Sequence, residues 1–175
     1  MPTVIEGRAS AQRYRLGIVV SRFNGEVTAR LLQGALDCLR QHGASDKKID
    51  VFYCAGSFEI PQVALKAAGT KRYEALICLG CVIRGETPHF EYVAGEAARG
   101  ISNAALVTGV PMSFGVLTTD TIEQAMERSG GSLGNKGWDA ALSAIEMAAL
   151  WSKMKASRPS MLKDSKEHTH LAGEA

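Results

Sequence analysis

Short runs of apolar and β-branched residues alternate with longer stretches of helical period along this chain, and that alternation constrains its fold most. Leu16–Ser21 (LGIVVS), Ile49–Cys54 (IDVFYC), Ala75–Ile83 (ALICLGCVI) and Met112–Leu117 (MSFGVL) read as strands. Between the first two, Glu26–Gln41 carries Val27, Leu31, Ala35 and Leu39 at helical spacing, and Gly43 is a stop signal. Phe58–Gly69 reads as a helix that tolerates Pro61 only near its first turn. Phe90–Thr108 is a third helix, ended by Gly109 and Pro111. Asp120 heads a short helix with Glu123 three residues on, as in a capping box. Ser129–Gly137 reads as glycine-rich loop and Trp138–Met154 as the final helix. Repeated β-then-α units call for a parallel sheet with helices on both faces, and strands apolar throughout agree with that. The expectation is one α/β domain, a three-layer α/β/α sandwich around a four-stranded parallel sheet. It spans residues 16–154, with an N-terminal arm over 1–15 and a mobile C-terminal tail over 155–175 that is polar and without apolar period.

Several function classes drop out. A chain of 175 residues can bury a sizeable core. Its 20 basic and 18 acidic residues leave a net charge of +2, which gives no electrostatic footprint for nucleic acid. The apolar run Ala75–Ile83 is too short to span a bilayer. Met1–Arg15 lacks an apolar h-region, so no signal peptide is expected and a cytoplasmic, reducing location is the default. Cys78 and Cys81 have C-x-x-C spacing, but residues three apart on a strand face opposite ways, and no second pair or nearby histidine completes a metal site. No metal is expected there. His168 and His170 could bind an ion weakly, although a solvated tail is the plainer reading. The last helix carries Leu142, Ile145 and Ala149 on one side and Met147, Leu150, Trp151 and Met154 elsewhere. A helix apolar on more than one face needs more than one neighbour, so a homo-oligomer is expected.

In an open parallel sheet, ligands bind beyond the carboxyl ends of the strands. The unusual polar and aromatic residues collect there: Ser21–Gly25 after the first strand, Gly56–Glu59 after the second, Arg84–His89 after the third and Thr118–Asp120 after the fourth. Gly85, Glu86, Thr87 and Pro88 lead into a helix whose free N–H groups suit an anion such as phosphate, and the Thr87 hydroxyl could cap that helix. These could equally be turn and cap residues. His89 at the positive helix end is expected neutral, fit to move protons near pH 7 or simply to sit at the surface. Phe23 could stack on a flat heterocycle or pack beneath its loop. Glu59 could answer the helix dipole or accept bonds from sugar-like hydroxyls. Arg128 could clamp a phosphate bidentately or merely close a helix. The segment around Lys136 is not a P-loop, since it lacks the order of that motif and follows a helix.

Taken in series, SRFN at Ser21–Asn24, GSFEIP at Gly56–Pro61, LGCVIRGETPHFEYV at Leu79–Val93, FGVLTTDTIEQAMER at Phe114–Arg128 and GNKGWDAALSAIEMA at Gly134–Ala148 resemble the lumazine synthase family over Leu16–Leu150. The resemblance implies a flavodoxin-like topology. It also implies condensation of 5-amino-6-(D-ribitylamino)uracil with 3,4-dihydroxy-2-butanone 4-phosphate, two small-molecule substrates. The products are 6,7-dimethyl-8-ribityllumazine, phosphate and water. No cofactor, metal, nucleic acid or membrane is implied. By resemblance, Phe23 stacks on the pyrimidine, and Ser57, Phe58 and Glu59 hold that substrate, Glu59 toward the ribityl chain. The main chain of Cys81, Val82 and Ile83 reads the ring edge, and Phe114 completes the pocket. Glu86 and Thr87 supply amides to the phosphate, joined by Arg128, while His89 shuttles protons. Asn24, Gly85 and Lys136 lie beside the site. Phe114, Arg128 and Lys136 come from a neighbouring subunit of a pentamer, and some members assemble twelve pentamers into a hollow icosahedral 60-mer. Ser57 and Glu86 stand where smaller residues are frequent in the family; a carboxylate at Glu86 would repel phosphate unless it turns to solvent. The rival functions are an FMN-binding electron carrier of similar topology, a shell protein and an inactive binding homologue. SRFNGE is a poor phosphate loop for the first of these.

Overall fold

The computed structural model describes residues 1–156. Lys155 and Ala156, expected to open the tail, are the last residues of the final helix, and the rest of the expected tail, with His168 and His170, lies outside the described residues. Strands β1 (Leu16–Ser21), β2 (Ile49–Cys54), β3 (Ala75–Ile83) and β4 (Met112–Thr119) form one parallel sheet in the order β2-β1-β3-β4. Helices α1 (Gly25–Gln41), α2 (Ile60–Gly69), α3 (His89–Thr108), α4 (Ile122–Arg128) and α5 (Lys136–Ala156) complete the expected three layers. No helix among the described residues is long and apolar enough to cross a membrane.

Side-chain alternation along β3 divides the core. Ala75, Ile77, Leu79 and Cys81 pack with α1 and α5, while Leu76, Cys78 and Val82 pack with α2 and α3. The C-x-x-C cysteines therefore lie in opposite cores. Burial pushes the Cys78 thiol up to about 12 and the Cys81 thiol up to about 11. α5 approaches α1 so closely that a Cβ on Gly137 would collide with the Leu31 carbonyl, which explains a glycine at that point of a helix. The core also starts before β1, because Ala11 and Tyr14 of the expected arm are buried in it.

Local boundaries differ from expectation for reasons of long-range pairing. β4 runs two residues past Leu117 because Thr118 and Thr119 pair with Val82 and Ile83. α2 is reached through a 3-10 turn at Ser57–Glu59, pinned where Glu59 Oε2 accepts the Gly56 N–H at 2.9 Å. The cap of α4 is Thr121 rather than Asp120. Its hydroxyl accepts the Gln124 N–H (3.2 Å), and Gln124 Oε1 accepts the Asp120 N–H (2.9 Å), so Gln124 fills the place expected of Glu123. Thr87 does not cap α3: Pro88 is the N-cap residue, with no side-chain bond. Ser129–Gly137 is no plain loop. It folds as a small hairpin of β5 (Ser129–Gly131) and β6 (Gly134–Asn135) before α5 starts at Lys136.

Candidate active site

The chain leaves β1 toward the face carrying α1 and leaves β3 toward the face carrying α3. Such a divergence opens a crevice at the carboxyl ends of the two strands. β3 deepens it by outrunning β1. Their last pair is Val20 with Leu79, so Gly80–Ile83 have no strand beside them on that edge. Main-chain groups of successive strand residues point to alternate edges. The Arg84 N–H donates to the Thr119 carbonyl on the β4 side (2.8 Å), so Val82 shares that edge while Cys81 and Ile83 turn theirs toward the crevice. Asn24 closes part of the gap. It adopts a left-handed conformation (φ 55°, ψ 48°), and its Nδ2 donates to the Cys81 carbonyl at 2.9 Å.

A cavity of about 620 Å³ fills this crevice, within the range of small-molecule sites. Phe23 and Phe58 line it, and both rings are largely exposed, so neither is packed beneath its loop. Cys81, Val82 and Ile83 form the strand side. The Cys81 side chain belongs to the opposite core, which leaves its main chain for the cavity. Ser57 and Glu59 close the α2 side. The Ser57 hydroxyl is buried with no hydrogen-bond partner among the described residues. Gly85, Thr87 and His89 line the α3 side, with His89 as the first residue of that helix. Glu86 is exposed and does not line the cavity, and neither does Asn24, which acts on it from behind through Cys81.

Phe114, Arg128 and Lys136 are not brought to this cavity. They line a second one, of about 440 Å³, along the free edge of β4. Arg128 Nη1 donates to the Gln124 carbonyl (3.0 Å) and Lys136 Nζ pairs with Asp139 Oδ2 (2.8 Å). Asn135 sets both in place: its Nδ2 donates to the Arg30 carbonyl on α1 and the Ser129 carbonyl, while its Oδ1 accepts the first N–H groups of α5 from Gly137 and Trp138. Among the described residues, no cluster of three or more His, Cys, Asp or Glu side chains is arranged to hold a metal ion.

The sequence reading set Gly56 on the rim without a role and gave none to Phe90, Tyr92 and Val93, and all four line the first cavity. The signal was there for two of them. Tyr92 and Val93 follow His89 by three and four residues, and such positions share a helix face.

The sequence profile of the 6,7-dimethyl-8-ribityllumazine synthase family matches residues 13–152. The chain is 61% identical over 150 residues to the 6,7-dimethyl-8-ribityllumazine synthase of Syntrophus aciditrophicus (strain SB), covering 86% of this chain and 97% of that protein. It is 56% identical over 150 residues to the enzyme of that name from Chlorobium luteolum, with the same coverage. Against its namesake from Desulfatibacillum aliphaticivorans it is 56% identical over 155 residues, 89% of this chain and all of that one.

Proposed function

The chain belongs to the 6,7-dimethyl-8-ribityllumazine synthase family, and on that premise we propose that it condenses 5-amino-6-(D-ribitylamino)uracil with 3,4-dihydroxy-2-butanone 4-phosphate. The observation that carries this reading is the crevice itself. Two exposed aromatic faces, a free strand edge and a histidine at a helix start converge on one cavity. A flat, hydrogen-bonding heterocycle fits between Phe23 and the Cys81–Ile83 edge, where alternation favours main-chain contacts at Cys81 and Ile83. The Glu59 oxygen not used by Gly56 is left for ribityl hydroxyls. The phosphate lies at the Gly85–Thr87 connection, with Glu86 turned to solvent.

In the reaction the arylamine attacks the ketone, water leaves as an imine forms, and phosphate is eliminated; the ribitylamino nitrogen then attacks the remaining carbonyl, and the ring closes as a second water leaves. Each step moves a proton, and a well-placed group accelerates such a transfer roughly 10²–10⁴-fold. His89 is the group in reach of the phosphate end. Holding two substrates in register removes about 7–11 kcal/mol of barrier.

The second cavity is the other half of a site shared between subunits of a homopentamer. Phe114 then covers the neighbour's pyrimidine, and Arg128 and Lys136 approach the neighbour's phosphate. The two rims carry different groups: the first is lined by His89 but by no Lys or Arg that could meet the phosphate, and the second by Arg128 and Lys136 but by no histidine.

Turnover with both substrates, followed by lumazine fluorescence, tests the reading. Arg128→Ala should lose roughly 10²-fold or more in kcat/KM, the scale of a misplaced reactant, and His89→Ala less. Wild-type protein without turnover, or Arg128→Ala with unchanged rate and unchanged affinity for the butanone phosphate, would sink it.

A further inference from the structure

Arg84 is the first residue beyond β3, and no role above uses its side chain. Its Nε donates to Asp120 Oδ1 at 2.8 Å and its Nη1 to Glu91 Oε1 at 3.1 Å. Its guanidinium carbon stands 4.4 Å from the centroid of the Phe90 ring. One side chain thus ties the end of β4 to the first turn of α3 across the Gly85–Pro88 connection. Around that connection, the Pro88 carbonyl accepts the Glu91 N–H (3.0 Å), and Gly85 is open on its side-chain face.

We propose that Arg84 is a positioning residue for the phosphate end of the site, fixing Gly85–His89 through Asp120 and Glu91 without touching the ligand itself. The inference rests on the reading of the crevice as the butanone-phosphate site. Exposed ion pairs taken singly contribute little. A planar fork seated on two carboxylates and one ring face has far fewer geometries than a pair, and Arg supplies that fork where Lys cannot. Phe90 lines the cavity and His89 precedes it, so the clamp acts one residue from the proton-transfer group. Direct phosphate binding fits the geometry poorly. Two donors are committed, one ring face is covered, and Asp120 and Glu91 together outweigh the Arg84 charge.

The same network runs on to the second cavity. The Asp120 N–H donates to Gln124 Oε1, and the Gln124 carbonyl accepts from Arg128. Four residues therefore link the two phosphate-facing elements of one protomer.

Steady-state kinetics on Arg84→Ala, Arg84→Lys, Asp120→Ala/Glu91→Ala and the triple variant test this. Arg84→Ala should lower kcat/KM for the butanone phosphate roughly 10- to 100-fold, the cost of a small misplacement, with the pyrimidine KM near wild type. Arg84→Lys should recover only part. Inorganic phosphate, used as a competitive inhibitor, should bind more weakly to both. The Asp120→Ala/Glu91→Ala variant should reproduce most of the loss, and adding Arg84→Ala to it should change little, the non-additivity of residues acting as a unit. An Arg84→Ala cost as large in that background as in wild type would mean direct ligand contact and overturn the proposal. A folded Arg84→Lys enzyme with wild-type kcat/KM overturns it too, even if Arg84→Ala unfolds. An inactive wild-type protein would instead bring down the underlying reading of the site, and this inference with it.

Discussion

Asn24 joins two costs that a single substitution can separate. Its left-handed backbone is one that asparagine tolerates better than most residues, and its side chain carries the bond that holds the Cys81 carbonyl beside the crevice. Asn24→Gly keeps the backbone freedom and loses the bond, about 1 kcal/mol. Asn24→Ala loses the same bond and adds about 1 kcal/mol of left-handed strain. Urea denaturation should rank wild type above glycine above alanine, and both variants should bind the pyrimidine less tightly. Equal stability for the two variants would show that φ is not limiting there. Residues of this kind mark the limit of what the sequence makes legible. Phe23, Glu59 and His89 stand out by position after a strand or at a helix start. Asn24 looks like an ordinary turn residue until β3 is known to outrun β1. Thr87 reads as a cap and bonds nothing in its helix, while Thr121, beside the expected Asp120, bonds its own. The first sits before a proline that takes the N-cap position itself.

At the scale of elements, Asp50 on β2 ties that edge strand to the starts of β1 and β3. Its Oδ2 accepts from the Tyr73 hydroxyl (2.7 Å), Arg15 Nη1 (3.0 Å) and Arg72 Nη2 (3.4 Å). The Tyr73 bond, then the Arg15 bond and the two guanidinium charges, hold its carboxyl below the usual range, against burial. A folded-state pKa that is depressed adds stability above the unfolded value, about 3.9, and that stability disappears as pH falls through the folded value. The melting-temperature gap between wild type and Asp50→Asn should therefore be steady from neutral pH to about 5 and close below about 4. Turnover should be unchanged, since Asp50 pairs with Gly17 near the amino ends of the strands, away from the crevice. A gap undiminished at pH 3 would rule out the carboxylate as its source. Element type was legible along most of the chain because strand runs and helical period are local patterns. The errors fall where distant groups decide: the last rungs of β4 depend on β3, and the hairpin at Ser129–Asn135 depends on the Asn135 bond to α1.

At the scale of the whole molecule, the two cavities of the proposed site lie apart, one at the β1–β3 divergence within the sheet and one along the unpaired edge of β4. A motif series can bring Phe23, His89, Phe114 and Arg128 to notice together, yet only the sheet order separates the first two from the last two. The exposed Leu106 and Val107 on α3, at 80% and 71%, and the apolar hollow beside Met147 and Trp151 add surface that a neighbour would cover. If sites form between subunits, two broken chains can make a whole one. Arg128→Ala keeps the first cavity intact, and Phe23→Ala/His89→Ala keeps the second. Each alone should have little activity. Co-expressed and mixed at random in a ring, an intact first half meets an intact second half at about one interface in four, since each half is present in about half of the positions. Activity should thus rise to about a quarter of wild type in the mixed assembly. A mixture no more active than its two components, with mixed assemblies verified by differently tagged chains, would place the whole site within one chain. It would require Phe114 and Arg128 to serve some purpose other than completing a neighbour's pocket.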